Sequence, residues 1–139
     1  MPYNYGEIFQ RLGIPGMGHQ GTTWCEIAPD NVLVLMAHQN YVHKRRGHWQ
    51  YEMPDEGVHP ALSPSAKRSL DMIQAYFSSG RPIRLPVAEF VTDGGPRENG
   101  TWEASEFREA TGAVYEATMV QFVRTTGYLL CDITSKFEV

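Results

Sequence analysis

The sequence predicts an α+β domain, a curved, mostly antiparallel, barrel-like sheet with two main helices laid against it. Two segments, 4–13 and 64–79, repeat apolar residues at helical spacing. Five to seven short apolar or alternating runs, bounded by Gly, Pro, Asn and Asp, read as strands. The 139 residues suit one hydrophobic core, so residues 1–139 are expected to form a single domain.

The first helix starts from Asn4 as N-cap, places Ile8, Phe9 and Leu12 on one face, and ends at Gly13. Four glycines and a proline between Gly13 and Gly21 make a loop. A strand at about 22–28, a turn at Pro29-Asp30-Asn31 and the apolar run Val32–Met36 then form a β-hairpin. The polar, basic segment 38–48 is an exposed turn leading into a short strand at Trp49-Gln50-Tyr51. The second helix has Ser63 as N-cap and Pro64 at its first position, where a missing N–H costs nothing. Ala66, Leu70, Ile73, Tyr76 and Phe77 form its apolar face, and Gly80 closes it. Further strands are expected at 83–90, around 102–107, at 114–124 and at 129–133, with turns at 93–100 and 125–127.

Composition narrows the function classes. Hydrophobic residues make up 42% and charged residues 20%, which suits a folded domain and not a disordered tail. No apolar run reaches the ~18 residues that span a bilayer, and the N-terminus carries no signal-peptide pattern. Cys25 and Cys131 sit in apolar strand-like settings, as buried thiols do in a reducing cytoplasm. An intracellular protein with no membrane partner is the expectation. Net charge is -4, but residues 38–84 carry +3 and the remainder -7. A basic face can therefore exist on an acidic protein.

Few constellations carry chemistry. His38, His43 and His48 recur every five residues, which matches no zinc-site spacing, so no metal or other cofactor is expected. No nucleophile elbow and no activated cysteine are visible, and the expectation leans away from an enzyme. The Gly13–Gly21 loop lacks the Gly-Lys-Ser/Thr ending of a phosphate cradle. The basic-aromatic stretch is the leading candidate. Lys44, Arg45 and Arg46 suit phosphates, while Tyr41, Trp49 and Tyr51 offer stacking faces. The same residues also suit a solvated turn followed by core strand positions. Ser65, Lys67 and Arg68 at the start of the second helix form a second candidate phosphate contact, with plain capping as the alternative. Trp24, beside His19 and Gln20 on the glycine loop, is a third point of interest.

Several of these pieces stand in a familiar order: Gly6–Gly13, the glycine-rich loop, Val32–Met36, Trp49-Gln50-Tyr51, Asp55-Glu56-Gly57, and a helix ending in Gly80-Arg-Pro-Ile-Arg-Leu85. This order resembles the N-terminal DNA-reading domains of modification-dependent HNH restriction endonucleases, SRA-like members of the PUA-type pseudo-barrel group. The resemblance spans about residues 5–90. The family's Thr-Gly-Glu-Gly-Gln after the aromatic-x-Tyr strand is replaced here by Glu52-Met-Pro-Asp-Glu-Gly57, and nothing corresponds to the HNH module. The resemblance implies a reader of modified bases in double-stranded DNA, of bacterial or phage origin, whose nuclease effector is a separate domain or chain. It implies base flipping, in which an extruded base stacks between aromatic side chains. By that analogy Trp49 and Tyr51, with Trp24 and Asp55, belong to the base pocket or its rim. His19 and Gln20 belong to a base-reading loop, and Lys44, Arg45, Arg46, Ser65, Lys67 and Arg68 hold the DNA backbone. A small enzyme or small-molecule-binding barrel is the alternative, and a protein-interaction domain a further one.

Overall fold

The computed structural model of the chain describes residues 5–14, 25–53, 64–92, 95–96, 102–103 and 106–139. Its class is α+β. The helices are α1 (Tyr5–Arg11) and α2 (Pro64–Ser78). The strands are β1 (Cys25–Ile27), β2 (Leu33–Leu35), β3 (Ala37–His38), β4 (Val42–Arg45), β5 (His48–Met53), β6 (Pro82–Thr92), β7 (Gly95–Pro96), β8 (Trp102–Glu103), β9 (Glu106–Val123) and β10 (Tyr128–Glu138).

The main sheet runs β1-β2-β6-β9-β10-β5-β4, with β3 also paired to β6. It is not closed into a barrel. Most pairs are antiparallel, including the expected β1–β2 hairpin, but β6 receives β2 and β3 in parallel. Parallel neighbours need a long crossover, and here the chain between them includes β4, β5 and α2. β7 and β8 form a separate two-stranded pair. Trp102–Glu103 thus pairs outside the main sheet, while Glu106 and Phe107 belong to β9, and Gly95–Pro96 is paired strand within what reads as a turn.

Alternation explains why the apolar run at 32–36 is continuous. Leu33 and Leu35 join Leu70, Ile73 and Tyr76 of α2 on one face of the sheet. Val34 and Met36 join Ile8 and Phe9 of α1 on the other. Both faces are thus buried at this position, and each fully buried aliphatic side chain contributes about 1.5–3 kcal/mol. The end of α2 follows the sequence signal. Gly80 has φ +67°, its N–H donates to Phe77 O, and the Arg81 N–H donates to Tyr76 O. This is the Schellman pattern, which a left-handed glycine completes without a Cβ clash.

The segment 42–53 departs from its expected form. Lys44 and Arg45 are paired strand residues, not part of a loose turn, with Lys44 opposite Trp49 and Arg45 opposite His48. The turn is only Arg46-Gly47, with φ of 51° and 82°. Positive φ at both positions defines the hairpin turn that matches strand twist, in which Asn-Gly is the favoured pair. Gly47 adopts this conformation freely. Arg46 bears a cost of about 1–2 kcal/mol that asparagine would reduce.

Candidate nucleic-acid interface

Strand alternation sorts the candidate residues. Val42 faces Tyr51 and Lys44 faces Trp49 in the β4–β5 register, so these four share one side of the sheet. It is the side that α2 covers further along. Tyr51 lies in that covered part, 1% exposed, beside Cys131 and the α2 side chains. The His38 N–H donates to its hydroxyl at 3.4 Å, and burial pushes its phenol pKa upward. Tyr51 is therefore a core residue, which corrects its assignment to a base pocket. Trp49, two residues closer to the turn, is 49% exposed. The ammonium of Lys44 stands over its ring, 6.0 Å from the centroid.

The other cations divide into engaged and open groups. Arg45 points to the opposite side and binds Glu52 at 2.6 Å, with Tyr128 donating its hydroxyl to the same carboxylate. Arg68 donates two bonds to Glu26 on β1, at 2.9 and 3.1 Å. A phosphate approaching Arg45 or Arg68 would therefore compete with a carboxylate already in place, though exposed pairs of this kind hold only about 0–1 kcal/mol. β1 and β4 also lie at opposite ends of the strand order, so the α2 start does not adjoin the hairpin through the sheet. Lys67 is exposed, and Arg46 is exposed at the turn; neither makes an ion pair among the described residues. His19, Gln20, Trp24 and Asp55 lie outside the described residues, as does the side chain of Ser65.

A trough opens beside Trp49. It has two adjoining lobes of about 430 and 340 Å³, and Trp49, Tyr115 and Lys136 line both. Volumes of roughly 300–1,000 Å³ are those of small-molecule sites. Lys136 and Tyr115 are register partners on β10 and β9. The larger lobe is also lined by small side chains, Val42, Val87 and Ala113. Glu138 stands at its rim, 3.7 Å from the Lys136 ammonium. Sequence reading missed Tyr115, Lys136 and Glu138, because the pairing of β9 with β10 and of β10 with β5 carries them to Trp49.

The segment before the hairpin is anchored. The Asn40 N–H donates to His38 Nδ1 at 3.3 Å, capping a 3-10 turn at Gln39–Tyr41, and the His38 ring packs 4.6 Å from Tyr41. His38 is buried while His43 and His48 are exposed. Among the described residues no group of three or more His, Cys, Asp or Glu side chains is placed to hold a metal ion. Cys25 and Cys131 are free and buried, and burial pushes the Cys25 thiol up to about 12, far from an activated nucleophile. No helix of the described residues is long and apolar enough to cross a membrane.

The Glu52 cluster yields a pH prediction. The Tyr128 hydroxyl, and after it the Arg45 guanidinium, hold the Glu52 carboxyl below its ordinary pKa. A depressed folded-state pKa adds stability above the unfolded value near ~4.3 that is lost as pH falls through the folded value. Glu52→Gln is expected to be slightly less stable at pH 7 and to lose less stability between about pH 5 and pH 3. Urea midpoints across that range test this, and parallel curves for the two proteins would refute it.

No protein-family model, curated protein or solved structure matches this chain.

Proposed function

We propose that the chain is a DNA-binding module that reads modified bases turned out of the duplex, with the curved sheet serving as an SRA-like frame. The observation that carries this reading is the Lys44–Trp49 pair. An ammonium and a half-exposed indole lie 6.0 Å apart on one face of a hairpin, within the span of one nucleotide. Charge neutralises phosphate and the ring stacks a base, and both act on the same strand. Arg46 adds support. It holds a strained, left-handed position where asparagine or glycine is easier, and it places a cation at the hairpin tip. The trough beside Trp49 offers room for the extruded base, whose unstacking costs a few kcal/mol that stacking and phosphate contacts offset. A nuclease acting on the bound DNA would be a separate domain or chain.

Amide-shift mapping by NMR tests the reading, using sequence-matched duplexes without modification, with methylated cytosine and with methylated adenine. Perturbations are expected at 42–50, 111–115 and 133–138, with tighter binding of one modified duplex. Perturbations confined to α1 and its side of the sheet, or none with any duplex, would overturn it.

A further inference from the structure

We infer that the trough takes two successive unpaired nucleotides of one DNA strand, one in each lobe. This rests on the reading of the hairpin as a DNA contact and refines what enters the sheet surface beside it. Both lobes are lined by Trp49, Tyr115 and Lys136, so the two spaces meet at one aromatic-cationic set of side chains. Two lobes that meet in this way form a path, not a closed pocket for a single ring. A duplex can offer this path only a base turned out of its stack, which fills one lobe and leaves the other empty. A single strand can turn its bases inward, one in each lobe, and keep its phosphates at the rim.

The charges fit that placement. Lys44 stands over the Trp49 ring, Lys136 lines both lobes, and Arg46 lies at the hairpin tip between β4 and β5. Single-strand grooves of other proteins combine these elements, cations that follow the backbone and rings on which successive bases stack. In the larger lobe, Lys136 and Glu138 set a hydrogen-bond donor 3.7 Å from an acceptor. Every nucleobase carries a donor and an acceptor side by side on its pairing edge, and that edge is free only in an unpaired base. The Gln39 side chain adds a second donor–acceptor group to the same lobe. This lobe is therefore built to satisfy a base edge but not to select one base. Ala113, which lines this lobe opposite Glu138 in the register, leaves the room the base needs.

The test compares a thymidine octamer, a thymidine mononucleotide and a fully paired, unmodified duplex, bound to the wild-type chain and to Ala113→Leu and Lys136→Gln. Ala113→Leu adds bulk to the lining of the larger lobe, and Lys136→Gln removes charge from the lining that both lobes share without adding bulk. The octamer is expected to bind more tightly than the mononucleotide. Each variant should weaken octamer binding by at least about fivefold, the lower end of what one base–aromatic stack contributes, while binding of the unmodified duplex, whose bases stay in the stack and which the hairpin cations hold, stays within about twofold. Octamer binding unchanged in both variants, with duplex binding intact, overturns this inference and leaves the hairpin reading standing. A mononucleotide that binds as tightly as the octamer also overturns it, since one lobe then accounts for all the affinity. Absence of octamer and duplex binding in the wild-type chain overturns the hairpin reading itself.

Discussion

Tyr51→Ala is expected to cost about 3–5 kcal/mol of stability, the range for truncating a buried aromatic residue, and Trp49→Ala about 1 kcal/mol or less. The two rings are two residues apart on the same side of one strand, yet their surroundings are opposite. Tyr51 is sealed between the sheet and α2, among Leu70, Ile73 and Cys131. Its removal leaves a cavity there and strips the His38 N–H of its hydroxyl acceptor. A domain of this size holds roughly 5–15 kcal/mol in total, so Tyr51→Ala sits near the limit of folding. Tyr51→Phe separates the two contributions. It keeps the volume and loses only the 3.4 Å bond, for an expected cost near 1 kcal/mol. Trp49, 49% exposed, leaves no buried cavity. Urea unfolding of the three variants measures these costs. A stable Tyr51→Ala together with an unfolded Trp49→Ala would invert the assignment of core and surface. The practical consequence concerns binding assays: loss of DNA binding in Tyr51→Ala reports unfolding, whereas loss in Trp49→Ala reports a missing contact.

The contrast between these neighbours shows what was legible in the sequence. The helix at 64–78 was readable because its apolar spacing, its proline start and its glycine stop are all local signals. So was the β1–β2 hairpin, set by the turn around Asn31, whose φ is 64°. The length of β9 was not. It runs 18 residues, and its pairings slip at several points, between Pro86 and Ala88 on β6 and between Leu130 and Cys131 on β10. Each slip breaks the alternation that identifies a strand, so one bent strand reads as two separate ones. The difference between Trp49 and Tyr51 was likewise invisible. Alternation puts both on one face, and only the reach of α2 across the sheet decides which is covered.

The candidate site was legible in part for the same reason. Lys44, Arg46 and Trp49 belong to one short stretch and can be found as a basic-aromatic run. Tyr115, Lys136 and Glu138 come from β9 and β10, and no local pattern ties them to the hairpin. The engagement of Arg45 and Arg68 was hidden for a similar reason. Their carboxylates, Glu52 and Glu26, are brought to them by strand pairing and by the packing of α2 on β1. A count of basic residues in sequence therefore overstates the charge available to a phosphate.

The remaining cations make a quantitative statement. On B-form DNA each phosphate contact adds about 0.9 to the slope of log affinity against log salt concentration. On the proposed DNA-binding reading, Lys44→Gln with Arg46→Gln removes two such contacts and should lower that slope by roughly 1.8. Arg45→Gln should change it little, since Arg45 is held by Glu52. Stability controls interpretation here too. Arg46→Gln keeps a side chain in the same strained turn, so the hairpin itself is not expected to gain or lose more than a few tenths of a kcal/mol.

The most direct measurement is this salt titration, with one duplex bound to the wild-type chain, the Lys44→Gln/Arg46→Gln double variant and Arg45→Gln. A steep slope is expected for wild type, a clearly shallower one for the double variant, and an Arg45→Gln line parallel to wild type. Superimposable lines for wild type and the double variant, or affinity indifferent to salt, would contradict the proposed DNA-binding reading.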